Sequence, residues 1–587
     1  MHFLIFSLLL FLLYACNSSG KKENADKLFT LLPGNFTGIN FINEIVEDEN
    51  VNPLQYENSY NGGGVAVGDL NNDGFDDVYF TSNRNGNKLY LNHGNFKFED
   101  VTRKAGVEGR LSWCTGVTMA DVNGDGFLDI YVCHSGNLPG AKRANELFIN
   151  KGSDEKGIPV FIEQAQSVGL ADSAFSNQAA FFDYDTDGDL DMVLLNHSPI
   201  RFNNLDETAI RYLVNKTDSL TGLKLFRNDK GFFKEVTHQS GIRNSRLNFN
   251  LGVSVADINN DGLQDIYISN DYLAPDYLYI NNGEGTFRDE LAEKLSVTSE
   301  FSMGNDIADI NNDGWPDIYT LDMLPDDNHR QKLLFGSDNF ELFDMTVNAG
   351  LNAQYMRNML HLNNGNGSFS EIGQLAKVSN TDWSWAPLLA DFDNDGWKDI
   401  FVSNGYLRDY TNMDFLKYMG EYLRDNQGRV QKSNLLELVK RMPASDVRNY
   451  GFKNMGDLRF DDKSAEWGLD AVSNSNGAAY ADLDNDGDLD LVINNINKPA
   501  FVYKNNTDKN VDKGFLRVKL AGKGGNRFGI GAKVQLFIKG EQQVQEQLMT
   551  RGFQSSVSPV MVFGTGNSTK IDSLIVTWHW EKATGCH

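Results

Sequence analysis

A nine-residue pattern, Asp-x-Asn/Asp-x-Asp-Gly-x-x-Asp, occurs seven times in the chain and gathers oxygen donors at a spacing suited to a hard cation. Its donors at positions 1, 3, 5 and 9 are Asp69, Asn71, Asp73 and Asp77; Asp121, Asn123, Asp125 and Asp129; Asp183, Asp185, Asp187 and Asp191; and Asp257, Asn259, Asp261 and Asp265. The remaining three sets are Asp309, Asn311, Asp313 and Asp317; Asp391, Asp393, Asp395 and Asp399; and Asp482, Asp484, Asp486 and Asp490. When such a segment curls, side chains 1, 3 and 5 converge, position 7 adds a backbone carbonyl and the position 9 carboxylate closes the shell. An all-oxygen shell of this size suits calcium; magnesium demands a stricter octahedron and keeps its waters. Bare acidic turns are the alternative, but they have no need of four oxygen positions kept in step.

The loops concentrate 24 Asp and four Asn side chains, and carboxylates this close repel one another without a counter-ion. Seven divalent ions would take the formal charge from −27 to −13, so the fold is expected to loosen when calcium is chelated. The acidic balance, 80 acidic against 53 basic residues, repels phosphate backbones and argues against nucleic acid as a partner.

The elements that position the loops are strands. An EF-hand would need a Glu at position 12 and flanking helices, whereas position 12 here is Phe80, Val132, Leu194, Ile268, Thr320, Val402 and Ile493. Each loop lies between apolar runs such as GVAVGD and DVYFTSN, which predicts a β-hairpin with the loop as its turn. A second hairpin follows each one, as in NKLYLNHG then FKFEDV, or DYLYINNGEGTFRDEL. Four strands per repeat make one propeller blade, and seven loops make seven blades. A chain of 587 residues exceeds one ordinary core, and 55 glycines against 12 prolines suit a turn-rich repeat fold.

The expected fold is therefore all-β: a seven-bladed β-propeller over 34–510, followed by a small β-rich domain over 511–587. The last blade stops near Tyr503 after three strands, and Gly38 to Ile45 is expected to supply the fourth and close the ring. Insertions fall at about 198–221, 323–357 and 406–457; Met413 to Met442 in the last shows helical spacing.

The repeats resemble FG-GAP or VCBS-like propellers, related in pattern to the integrin α-subunit head. From about Gly514 the chain resembles the ASPIC/UnbV module, through Asn526-Arg527-Phe528-Gly529-Ile530-Gly531-Ala532-Lys533-Val534, Phe563-Gly564 and Asp572 to Trp578. The pairing is similar to the cartilage acidic protein family and its bacterial relatives. The resemblance implies calcium at the seven loops and leaves the biochemical role open, because a fold does not fix a function. The module usually continues past the Trp with a Pro-Ser-Gly-like turn, whereas this chain runs His579-Trp580-Glu581, so its last strand is expected to be incomplete.

Residues 1–15 read as an export signal, with an apolar run from Phe3 to Tyr14 too short to span a bilayer. Leu13-Tyr14-Ala15-Cys16 resembles a lipobox, which would place acyl chains on Cys16, residues 16–33 as a polar tether, and the protein in a bacterial cell envelope. A cleaved leader without lipid is the alternative. Cys114, Cys133 and Cys586 then remain, an odd number that does not suggest a disulfide scaffold; Cys114 and Cys133, which flank one hairpin, are expected as buried free thiols, with their pairing as the alternative.

The residue eight before each loop should open near the axis on the opposite face: Asn61, Trp113, Phe175, Phe249, Phe301, Trp383 and Asn474. Two readings stand for its aromatics, with Trp385 added: packing at the channel mouth, or a platform that stacks sugar rings. The chain lacks GxSxG, HExxH and GxxxxGK[ST] motifs. A binding protein for glycan or a protein partner is therefore expected over an enzyme. The alternative is a calcium-containing polysaccharide lyase or other carbohydrate-active enzyme drawing on His134, Lys142, Arg143 and His197.

Overall fold

The computed structural model describes residues 27–199, 205–334, 339–509, 513–578 and 584–586. The expected signal peptide and Cys16 lie outside them. The fold is all-β with short helices, and its largest part consists of seven antiparallel units of four strands, the first of them extended to six strands by Thr550–Arg551 and Ser555–Ser556 from the C-terminal part of the chain. In the first sheet the strands are Val65–Gly68, Asp77–Phe80, Lys88–Asn92 and Phe98–Asp100. The first strands of the next six are Trp113–Ala120, Ser176–Phe182, Asn250–Ala256, Asn305–Ala308, Ser384–Ala390 and Ser475–Ala481. The nine-residue loop joins strands one and two of every sheet, as the alternation on either side of it predicts.

These first strands pack side by side in chain order, and the seventh packs against the first. Such convergence selects small residues. The residue five before each loop is Gly64, Gly116, Gln178, Gly252, Gly304, Ala386 and Gly477. A Cβ at Gly116, Gly252 or Gly304 would stand 2.4, 2.7 or 2.2 Å from a carbonyl oxygen of the next sheet.

The seventh sheet takes its fourth strand from the N-terminal part of the chain. That strand is Phe29–Leu31, paired antiparallel with Phe501–Asn505 from Phe29 against Asn505 to Leu31 against Tyr503. This corrects two expectations: 16–33 is not all tether, and Gly38 to Ile45 is not the closing strand. The latter forms no strand of that sheet: it makes isolated bridges, Ile42 with Pro499 and Asn43 with Ile496, and packs Ile39 and Phe41 in a core cluster with Val492 and Val502. Three residues suffice because Phe29 is buried against Phe392, Trp467 and Tyr503.

The C-terminal domain has its own small core around Val534, Leu536, Met561 and Phe563. Lys533–Ile538 lies between Glu541–Glu546 and Ser573–Thr577, and Thr584–Cys586 pairs with the last of these. The domain is not an appendix to the ring. It spans the loop face: Arg527 Nε donates to the Gly124 carbonyl at 2.7 Å, Gly525 N to Gly188 at 3.0 Å and Gly566 N to Asn394 at 3.0 Å.

From that face the segment Met549 to Val557 enters the axis and meets the first strands of all seven sheets. Ser556 pairs with Ala66, Val117 N donates to the Gln554 carbonyl at 3.0 Å, and Gln554 Nε2 donates to Asn177 Oδ1 at 2.6 Å. Arg551 Nη1 reaches Asp306 at 2.6 Å, and the Phe553 ring lies 5.0 Å from that of Trp385. The opposite mouth is covered by the turn-rich segment 46–60. There Tyr60 donates to Glu47 at 2.7 Å, Arg408 binds the same carboxylate at 2.8 Å, and Tyr406 donates to the Glu57 carbonyl at 3.1 Å.

The insertions follow second strands, so they emerge at the end of each sheet away from the loops. Helices Glu207–Val214 and Asn339–Asn348 pack together, and Arg330 joins Asp382 and Asp409 of the sixth sheet and its insertion. Helices Met413–Asp425 and Leu435–Lys440 lie within 406–457.

Candidate metal centre

Each loop is held by its own carboxylates before any metal is considered. The position 6 N–H donates to position 1 Oδ2 at 2.8 to 3.1 Å in all seven. Its glycine has φ between 89° and 95°, a conformation that glycine alone adopts at little cost. Position 4 also lies in the left-handed region, with φ of 55° to 71°, and is Asn in five loops, Gly124 and Thr186 in the others.

Position 9 carries a structural role that the spacing did not reveal. Its Oδ2 accepts the position 2 N–H at 2.9 to 3.2 Å. Its Oδ1 accepts an N–H from an asparagine on the third strand at 2.8 to 2.9 Å. Those asparagines are Asn92, Asn150, Asn228, Asn281, Asn363, Asn454 and Asn505. Six of them also donate from Nδ2 to the position 2 carbonyl of the preceding loop, at 2.7 to 3.0 Å. Their signal was present in the strings LYLN, LFIN and LYIN, but a lone strand asparagine carries no label of its role.

Position 1 is buried in six loops and half-buried at Asp69, position 9 is buried in all, and positions 3 and 5 are more open. The donors therefore form a cup whose mouth faces outward. In the third, sixth and seventh loops, Asp183, Asp185 and Asp191, then Asp391, Asp393 and Asp399, then Asp482, Asp484 and Asp490 bring carboxylate oxygens within 4.8 Å of one another and can hold a metal ion. The other four have an amide at position 3, so their donors are three carboxylates and one amide oxygen. The fit to a cation shows in the oxygens themselves: Asp185 Oδ1, Asp482 Oδ1 and Asp484 Oδ1 are buried without a hydrogen-bond partner. Burial, reinforced by neighbouring carboxylates, pushes Asp391 up to about 7, Asp129 to about 8 and Asp191 to about 9.

The aromatic set does not form an open platform. Trp113, Phe249, Trp383 and Trp385 are buried, and Phe175 and Phe301 half-buried. Trp383 stacks on Tyr406 at 3.9 Å, Trp113 meets the edge of Tyr56 at 5.8 Å, and Tyr272 bridges Phe249 and Phe301. Arg143 lies 3.9 Å over the Phe175 ring. The segment 46–60 and the insertion residues Tyr406 and Tyr410 supply the cover, so these side chains pack the mouth.

The residues considered for lyase chemistry do not converge on a cleft. His134 Nε2 lies 3.0 Å from Glu146, and its Nδ1 lies 3.8 Å from the Cys114 thiol. All three are buried, so this thiol–imidazole–carboxylate line is enclosed. His197 is buried against Phe249, Arg143 is committed to carbonyls, and Lys142 is exposed. Cys114 and Cys133 are free buried thiols.

A model of FG-GAP-like repeats matches residues 69–132, 257–320 and 347–402, and one of the ASPIC and UnbV domain matches 522–584. Cartilage acidic protein 1 of Homo sapiens is 24% identical over 548 residues, covering 90% of this chain and 70% of the human protein. Its Xenopus tropicalis counterpart is 25% identical over 556 residues, covering 91% and 72%. Among solved structures, a lectin from Agrocybe aegerita described as recognising non-reducing terminal N-acetylglucosamine is 15% identical, with a TM-score of 0.36 over 69% of this chain and 83% of the lectin.

Proposed function

Starting from a chain that joins FG-GAP-like repeats to an ASPIC/UnbV domain and is similar to cartilage acidic protein 1, we propose that it is a calcium-stapled binding or adhesion protein. The seven sheets are read as blades of one propeller, and each loop as a calcium site. The observation that carries this reading is the ring of oxygen-lined cups on one face, some of whose buried oxygens lack any partner. Positions 1, 3, 5 and 9 would hold the ion, which would supply positive charge that neutralises the cup and fixes the hairpin turn.

With the axis filled from one side and the opposite mouth packed with aromatics, recognition is assigned to the outer surface. The three insertions project at the same end of their sheets, and two of them pack together through their helices, a rigid base for loops that select a glycan or a protein partner. No helix among the described residues is long and apolar enough to cross a membrane. Attachment to the cell envelope is proposed through lipid on Cys16, on the strength of Leu13-Tyr14-Ala15-Cys16.

The test is a calcium titration of the chelator-stripped chain lacking residues 1–15, with metal stoichiometry and melting temperature as readouts, followed by a glycan and matrix-protein array with and without calcium. Uptake near seven ions, a large rise in melting temperature and calcium-dependent retention on the array are expected. No uptake rejects the metal sites; uptake without retention on any surface rejects the binding role.

A further inference from the structure

The third strands carry an alternation that follows the loops. Immediately before the asparagine that binds position 9, they read Leu91, Ile149, Arg227, Ile280, Leu362, Lys453 and Lys504. Position 3 of the same loops reads Asn71, Asn123, Asp185, Asn259, Asn311, Asp393 and Asp484. The strand residue is basic wherever position 3 is Asp and apolar wherever it is Asn, in all seven repeats. Within each repeat the balance is therefore the same: three carboxylates and an amide, or four carboxylates and one cation.

Geometry gives the pairing a physical role. In the four amide loops the position 3 Nδ2 donates to the position 5 carboxylate at 2.8 to 3.0 Å. In the sixth and seventh loops the strand lysine makes that bond: Lys453 Nζ reaches Asp395 at 2.6 Å and also binds Asp393, and Lys504 Nζ reaches Asp486 at 2.7 Å and also binds Asp484. The C-terminal domain adds Lys513, 3.3 Å from Asp393 of the sixth loop, and Arg517, 3.2 Å from Asp482 of the seventh. Arg227 of the third sheet is held by Asp229 at 2.8 Å and acts on Asp185 only through space. The two strand lysines thus sit on one oxygen, Oδ2, of each carboxylate that a metal at positions 3 and 5 would draw on.

We propose that Lys453 and Lys504 are built-in counter-cations that compete with calcium for the sixth and seventh loops, making these a separate class of site that keeps its shape when metal is withdrawn. An ion that takes these carboxylates either displaces the ammonium or stands close to a like charge, and both weaken its binding. Among the described residues the four amide loops have no such substitute at positions 3 and 5, though in the fourth Lys533 Nζ holds the position 1 carboxylate of Asp257 at 2.6 Å. Calcium loss should therefore loosen the first, second and fifth sheets before the sixth and seventh. This inference rests on the calcium reading.

Calorimetric calcium titration of the full mature chain tests it, comparing wild type with Lys453→Leu and Lys504→Leu, which install the residue found at Leu91 and Leu362. Each variant should tighten one site about tenfold and lower the metal-free melting temperature. Unchanged or weaker affinity overturns the proposal. If a single variant does not fold, Asp484→Asn with Lys504→Leu recreates the pairing of the first loop and is compared with Asp484→Asn alone. The double variant should bind one calcium more tightly than the single; equal affinity again overturns the proposal. Wild type that takes up no calcium at all defeats the calcium reading itself, a different result from uptake that the lysine variants leave unmoved.

Discussion

Asn485 Nδ2 of the seventh loop donates to the Gly74 carbonyl of the first at 2.9 Å, across 411 residues of sequence. The same position 4 to position 6 bond joins the first loop to the second, the fourth to the fifth, the fifth to the sixth and the sixth to the seventh, at 3.0 to 3.4 Å. Five of the seven junctions between neighbouring loops are thus bonded laterally, the exceptions following Gly124 and Thr186 at position 4, and one asparagine joins the last loop to the first. Asn485→Ala loses the bond and places a Cβ-bearing residue other than Asn in a left-handed conformation. It should cost about 1–3 kcal/mol in urea unfolding, with Asn485→Gly costing less. Equal stability of all three proteins would show that the bond adds nothing.

Arg551 is 8% exposed and Asp306 1% on the side chain, and they meet inside the axis. Arg551→Met strands a buried carboxylate and should destabilise the protein by about 3–5 kcal/mol, with Asp306→Asn in the same chain recovering part of the loss. The check is the denaturation midpoint of the three proteins. A single variant as stable as wild type would mean that the inserted segment does not hold the ring.

The face opposite the loops gives a packing prediction. Trp383→Ala removes a ring stacked between the sixth sheet and Tyr406 and should cost about 3–5 kcal/mol, in calcium and in chelator alike. Thermal unfolding reads this directly. A variant of unchanged stability that lost array binding would restore the aromatic platform.

Without metal, stability should fall with rising pH. Burial, aided by nearby carboxylates, raises Asp129 to about 8 and Asp191 to about 9, above the ordinary value of 3.8. The folded chain then holds more protons than the unfolded one between about pH 4 and pH 9, so stability is present at the acid end of that window and is lost as pH rises through it. Calcium requires ionised carboxylates, so its uptake should release protons and strengthen toward about pH 8. The metal-free melting temperature should drop between about pH 5.5 and about pH 8, and the loaded one should not. A metal-free value that climbed over this range would contradict the assignment.

The loops were legible because their chemistry repeats: oxygen at 1, 3, 5 and 9 with glycine at 6, seven times over, specifies a tight acidic turn, and the apolar runs beside it fix the hairpins. Relations between repeats were harder to read. Asn72 and Asn485 occupy a position that the pattern leaves free, yet they bond neighbouring loops. Phe29–Leu31 was missed because three strand residues are too few to carry a periodicity, whereas Gly38 to Ile45 alternates without forming a strand of the sheet. For the aromatic residues before the loops, periodicity does not encode what covers them, and Tyr406 lies over Trp383 from an insertion. The course of Met549 to Val557 is set by the docking of one domain on another, which no local pattern encodes.

The closing strand and the inserted segment also impose a timetable on a chain made from its N-terminus. Phe29–Leu31 is synthesised near the beginning, yet its partner Phe501–Asn505 is among the last parts of the ring to appear, and Met549 to Val557 comes later still. Until then the seventh sheet lacks its outer strand and the ring lacks its centre, leaving edges and apolar surface open to wrong partners. Truncation during synthesis anywhere before residue 549 therefore yields an unsealed ring, which ties durability of the whole repeat array to completion of its final segment.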